Sequence, residues 1–202
     1  MARRRRTPVG GGEVAQAAGG YGAGPVRPAG PEDAAAIARV QVRTWKSAYR
    51  GVVPDEYLDA MTAGRARVER WRGILAAQGE GVALVAEKQR RAVAFATGGP
   101  CRDADPRFDA ELSALYVLPT WQGRGLGAAL ARAVAATLAT RGRRAMKVWV
   151  LERGPARPFY EHLGGRLCDR RQDVREDGRL ALDEVAYAFD LADLAPAARS
   201  GP

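Results

Sequence analysis

Gln122-Gly123-Arg124-Gly125-Leu126-Gly127 lies between an alternating apolar run, Leu112 to Leu118, and an Ala/Leu-rich run, Ala128 to Ala139. The first run reads as a strand; the second has apolar residues at helical spacing and no internal Gly or Pro. The pattern predicts a strand, a short turn at Pro119, and a helix whose first turn holds the glycines. A helix start leaves its first backbone N–H groups unpaired at the positive end of the dipole. That is an anion site suited to a phosphate or pyrophosphate. Glycines there remove the Cβ atoms that would keep a bulky anion from the N–H groups.

Two other phosphate motifs fail on spacing. The dinucleotide fingerprint in its strict form needs a third glycine where this sequence has Ala128, and no early βαβ unit supplies a ribose-binding acid. The triphosphate loop needs a Gly-Lys-Ser/Thr ending, which the sequence lacks.

At 202 residues and 47% hydrophobic content, the chain suits one well-packed domain. No run approaches the roughly 18 apolar residues of a membrane span. Cys101 and Cys168 read as reduced thiols, with the cytoplasm as the expected compartment. The net charge is +9. Arg3 to Arg6 form one run, and the other arginines are spread among acids without aromatic interleaving, so a nucleic-acid partner is disfavoured. Residues 1–24 read as a disordered basic, Gly-rich tail that contributes nothing to the fold. Residues 193–202 read as a loose C-terminal tail, which leaves 25–192 as the folded domain.

Along that domain, Val26 begins a short edge strand, and Pro31 with Glu32 and Asp33 opens a helix carrying Ile37, Val40, Trp45 and Tyr49. A second helix runs from Asp55 to Ala77, divided at Gly64. Gly81–Glu87 and Arg91–Thr97 form a hairpin that Gly98-Gly99-Pro100 ends. Asp109–Leu118 feeds the glycine loop. After the glycine helix come a strand at Ala145–Leu151, a short helix at Gly154–Leu163, and strands at Arg166–Val174 and Asp183–Leu191, joined by a turn at Glu176-Asp177-Gly178.

Val117-Leu118-Pro119 followed by Gln122-Gly123-Arg124-Gly125-Leu126-Gly127 resembles the pyrophosphate loop of the GNAT superfamily of acyl-CoA N-acyltransferases. The element order β-α-α-β-β-β-α-β-α-β-β is similar to that family's from Val26 to Leu191. So is Ala156-Arg157-Pro158-Phe159-Tyr160-Glu161-His162-Leu163-Gly164-Gly165, although Arg153 stands where the family carries an Asn that bonds the pantetheine arm. Pro158 places the start of the helix proper later than in the family. The resemblance implies an α+β fold of the three-layer α/β type: a central mixed, mostly antiparallel sheet flanked by helices. It also implies acetyl-CoA as co-substrate, bound by Leu115, Tyr116 and Val117 of the strand and by Gln122, Gly123, Arg124, Gly125, Leu126, Gly127 and Ala128 of the loop.

Acyl transfer from a thioester to an amine needs four things: a deprotonated amine, a polarised carbonyl, a protonated leaving thiolate and aligned reactants. The resemblance makes Tyr160 the acid, and a phenol is protonated at neutral pH. It makes Glu111 the base that takes the amine proton through water, against the reading of a solvated strand-end acid; Asp109 is a weaker candidate. Trp45 and Tyr49 stand at the acceptor wall or pack the core. His162 points away from Tyr160's side of its helix. No metal site is expected. The function expected is an N-acetyltransferase acting on an amine of a small molecule or peptide, with no membrane partner and a homodimer left open. The alternatives are a non-catalytic acyl-CoA-binding regulatory domain and, less favoured, a basic nucleic-acid-binding protein. Asp183 and Glu184 on the last hairpin read as solvated charges or as partners for a cationic amine.

Overall fold

The computed structural model describes residues 26–77, 79–103, 105–174, 178 and 180–195. The arginine-rich N-terminal stretch, Glu176 and Asp177 of the expected turn, and the chain from 196 onward lie outside the described residues. Seven strands form one sheet in the order β1-β2-β3-β4-β5-β7-β6. They are β1 Val26–Pro28, β2 Val82–Lys88, β3 Arg91–Pro100, β4 Ala110–Val117, β5 Ala145–Leu151, β6 Arg166–Val174 and β7 Ala181–Asp190. Neighbours are antiparallel except β4 and β5, which are parallel.

The helices are α1 Ala34–Ala48, α2 Asp55–Ala60, α3 Arg65–Ala76, α4 Leu126–Thr140, α5 Arg157–His162 and α6 Leu191–Leu194. Successive residues of a strand point to opposite faces, and β4 shows which helix covers which. Tyr116 meets Trp45 of α1 through a hydrogen bond. A Cβ on Gly127 of α4 would meet the Val117 side chain. Helices α1 and α4 therefore cover opposite faces, and Phe159 of α5, which also meets Gly127, joins α4. Apolar side chains from both layers close the main core around Phe95, Leu130, Leu138 and Met146. A smaller cluster joins Val42, Trp45, Val53, Leu58 and Met61 to Leu151, Leu180 and Leu182, seating the α1–α2 region over the ends of β5 and β7.

The expected mixed α+β architecture is the observed one, and β5 and β6 have the expected limits. Gly64 caps α3 and separates it from α2. Two readings change. Gly98 and Gly99 do not end β3; both pair with β4. A Cβ on Gly98 would lie 2.7 Å from Val134 Cγ1 and 2.9 Å from the Glu111 carbonyl. That glycine is there for close approach of α4, which sequence punctuation cannot distinguish from a turn. The chain also stays ordered past 192: Asp190 accepts the Ala192 N–H at 2.9 Å and caps α6, and Leu194 is buried. Among the described residues no helix is long and apolar enough to cross a membrane.

Candidate active site

Strands β4 and β5 pair only through Ala110 with Met146 and Glu111 with Lys147. Just beyond, Ser113 is an extra residue in β4: Thr97 pairs with Ala114 and Gly98 with Leu112. Such a bulge bends its strand and raises the local twist, and the two parallel strands separate. The edge of β4 that faces β5 is left without a strand partner from Leu112 onward. A cleft of about 730 Å³ occupies the gap, lined from Leu112 to Tyr116 on one side and from Val148 to Leu151 on the other.

The glycine loop lies where β4 ends. Gly123 and Gly125 have φ of +71° and +78°, a left-handed conformation in which other residues are strained. Gly125 is the N-cap of α4, so the helix begins at Leu126, later than expected, and only Gly127 of the glycines lies in its first turn. The first acceptor used inside the helix is the Gly125 carbonyl, bonded by Ala129 N–H at 3.0 Å. The N–H groups of Leu126, Gly127 and Ala128 precede it and remain for an external acceptor. Gly127 has a second reason to lack a side chain: a Cβ there would lie 3.1 Å from the Phe159 ring. Gln122 folds back on the strand, its Nε2 donating to the Val117 carbonyl at 3.0 Å, and Thr44 Oγ1 donates to the same carbonyl at 3.3 Å. Those bonds fix the strand-to-loop junction and engage two groups that sequence reading assigned to the coenzyme. Arg124 stacks on Trp121, 4.7 Å from the ring centroid.

Tyr160 enters the cleft from α5. Its ring is buried among Phe159, Tyr187 and Phe189. Burial raises its pKa, with a smaller contribution from Tyr116, so the hydroxyl stays protonated through and beyond neutral pH. No hydrogen-bond partner reaches that hydroxyl among the described residues. Pro158 falls in the first turn of α5, where it costs no helix hydrogen bond. Arg153 and His162 are exposed.

The cleft's other half is polar. Glu111 is 2% exposed, so it is not a solvated strand-end acid. Arg102 holds both its oxygens, with Nε 3.0 Å from Oε2 and Nη2 on Oε1, and this pairing raises the arginine's pKa further. Glu184 is likewise buried and bonded by Arg171 Nε at 2.9 Å. Arg171 lies over the Trp149 ring at 4.1 Å, whose indole N–H reaches Asp103 at 2.9 Å. Lys147, the β5 partner of Glu111, alternates with Trp149 and Leu151 along one face. Leu151 belongs to the Trp45 cluster, so these charges share the face of α1. Trp45 donates to the Tyr116 hydroxyl at 2.9 Å and meets the Tyr49 ring edge-on at 4.9 Å. Both aromatics line the cleft while Trp45 also packs the second core. Asp109 has no place there: it accepts the N–H groups of Arg144 and Ala145 at 3.0 Å and holds the start of β5.

The cleft brings Tyr160, Glu111, Leu115, Tyr116, Trp45 and Tyr49 together, and sets the glycine loop at its edge strand's end. Glu184 joins them, while Asp183 turns to Gln172 outside. Arg102, Arg171, Trp149, Gln41, Arg67 and Trp71 also line the cleft. Their sequence signal was residue type alone, shared with many surface positions.

The element order, the mixed seven-stranded sheet and the glycine-capped helix after β4 agree with the acyl-CoA N-acyltransferase class of fold that the sequence resembles. A family model described as FR47-like protein matches residues 105–174. The uncharacterized N-acetyltransferase YuaI of Bacillus subtilis strain 168 is 32% identical over 136 residues, spanning 67% of this chain and 76% of YuaI. A structure from Rhodopseudomonas palustris, described as a GCN5-related N-acetyltransferase (aminotransferase, class-II), superposes with a TM-score of 0.68 at 22% identity, over 84% of this chain and 97% of that one. The putative acetyltransferase YncA of Salmonella typhimurium, solved with its cofactor acetyl-CoA, superposes with a TM-score of 0.60 at 21% identity, over 88% and 98%. The chain belongs to the GNAT superfamily of N-acetyltransferases.

Proposed function

We propose that the protein transfers the acetyl group of acetyl-CoA to an amine by direct attack within the β4/β5 cleft. The observation that carries this is the buried Tyr160 hydroxyl, protonated and unpartnered among the described residues, on a residue that lines the same cleft as the open edge of β4. The coenzyme's pyrophosphate binds the N–H groups from Gly123 to Ala128. Its pantetheine arm adds to β4 along Leu115 to Val117 as an extra strand would, and a strand N–H polarises the thioester carbonyl. Tyr160 protonates the departing thiolate. The amine arrives from the α1 face, past Trp45 and Tyr49, and reaches Glu111. Glu111 takes the amine proton through water. Doing so needs a free lone pair on a carboxylate that Arg102 holds, and Arg102, with its side chain 67% exposed, is the partner able to swing out.

The test combines coenzyme binding with turnover. Gly125→Val, which strains the cap and crowds the N–H groups, should weaken CoA binding by calorimetry at least about tenfold, the loss of one charge-assisted hydrogen bond. A thiol-release screen with acetyl-CoA should find an amine that consumes it. CoA binding with no release across amine classes would instead favour a passive acyl-CoA-binding domain.

A further inference from the structure

Gln41 and Arg67 line the acceptor half of the cleft in an arrangement that the acetyl-transfer steps do not use. Gln41 stands one turn before Trp45 on α1, so their side chains start about 6 Å apart. Arg67 and Trp71 hold the same spacing on α3. The two pairs meet at one atom: Gln41 Oε1 accepts Arg67 Nη1 at 3.1 Å and Trp71 Nε1 at 3.0 Å. An indole N–H and a guanidinium can only donate, so this end of the amide is the oxygen. Its NH₂ end therefore points away from both donors, and it has no partner among the described residues. Arg67 spends its Nε on the Thr62 carbonyl at 3.0 Å. Its partners are neutral, and it forms no ion pair among the described residues. Arg102 and Arg171 differ, since Glu111 and Glu184 already balance their charge.

We propose that the acceptor amine carries a carboxylate and that Arg67 with the Gln41 amide receives it; the proposal rests on the acetyl-transfer reading above. A half-buried guanidinium held only by neutral acceptors keeps its attraction for an anion, and its planar fork matches a carboxylate. The subsite offers donors and no acceptor, so a second ammonium group is disfavoured there. Trp71 fixes its position, resting edge-on against Phe95 at 5.2 Å, which in turn lies 5.3 Å from Tyr116. The acceptor's amine end lies toward Glu111, which takes its proton, and its negative end meets Arg67. The substrate class is a small zwitterion with amine and carboxylate on one molecule.

Two measurements test this. Free amino acids are compared with their C-terminal amides as acceptors. The acids should show at least about tenfold higher kcat/KM, as expected for one charge-assisted bond. Arg67→Met should erase that preference through KM, and Arg67→Lys should restore part of it. Separately, the CoA-saturated protein is titrated with sodium acetate and with sodium phosphate against sodium chloride at equal ionic strength. The Trp71 indole N–H resonance, assigned through Trp71→Phe, reports on the subsite. A saturable shift with acetate that Arg67→Met removes supports the subsite. It does so even if no amine is consumed, in which case only the acetyl-transfer reading fails. Amides consumed as well as acids, or an acetate titration indistinguishable from chloride, overturn the proposal while leaving acetyl transfer standing. Saturation by phosphate alone overturns the carboxylate assignment.

Discussion

Gly127 stands so close to Phe159 that a Cβ at 127 would lie 3.1 Å from the ring. The contact joins the first turn of α4, whose N–H groups have no acceptor within the helix, to α5, which carries Tyr160 one residue after Phe159. A methyl group there overpacks the junction, so Gly127→Ala should cost about 1 kcal/mol of stability. In a Phe159→Leu background the added methyl has room, and the same substitution should cost less. Urea unfolding of the four proteins gives the coupling. Strictly additive costs would show that the ring gives way freely and that the two helices are not coupled here.

Arg102 and Glu111 form an asymmetric pair, the carboxylate 2% exposed and the guanidinium side chain 67% exposed. Removing the cation leaves a buried charge, whereas removing both leaves a neutral contact. Arg102→Met is expected to destabilise by about 2 kcal/mol, less than the roughly 3–5 kcal/mol of a fully buried pair because solvent already reaches the arginine. Glu111→Gln added to Arg102→Met should recover most of that loss. A double variant less stable than either single one would mean that Glu111 is held by something other than Arg102.

Asp33 accepts two hydrogen bonds from Arg27 at 2.8 Å and one from the Gly30 N–H at 3.0 Å. The Arg27 bonds are the main reason its carboxyl is held below the ordinary aspartate range. A depressed folded-state pKa contributes stability above the unfolded value, and that contribution is lost as pH falls through the folded one. The melting-temperature gap between wild type and Asp33→Asn should therefore be constant between about pH 6 and 8. It should narrow below about pH 4, the ordinary aspartate value. A gap unchanged down to about pH 3 would remove the ion pair from the account.

The strands and the glycine loop were legible because their signals are local. An alternating apolar run marks β4, a nearly unbroken apolar run marks β5, and glycines at fixed spacing mark the start of α4. The splay of β4 from β5 was not legible, since it depends on a bulge at Ser113 that no residue type announces. The polar half of the cleft was legible only as isolated charges. Glu111 read as either a base or a solvated acid because its partner, Arg102, lies in a loop whose course the sequence does not give. Gln122 and Gly127 match a coenzyme motif, yet the bond to Val117 and the contact with Phe159 give each a structural duty as well. A motif records which residue is needed without recording how many reasons need it.

Tyr160→Phe separates an enzyme from a passive binder. The substitution keeps the ring among Phe159, Tyr187 and Phe189 and deletes only the hydroxyl. Because that hydroxyl has no hydrogen-bond partner among the described residues, its loss orphans no donor or acceptor, and stability should stay within about 0.5 kcal/mol of wild type. Burial raises the phenol's pKa, so no titration of Tyr160 should enter the pH–rate profile below about pH 10, its unperturbed value. General-acid assistance is commonly worth about 10²–10⁴ in rate, so turnover should fall at least about tenfold. Acetyl-CoA affinity by calorimetry should hardly move, because the loss belongs to the transition state rather than to binding. All three quantities are measured on one preparation with an amine from the thiol-release screen. A fall in stability with turnover per folded molecule preserved would make the hydroxyl a structural group. Turnover and stability both unchanged would leave water to protonate the thiolate.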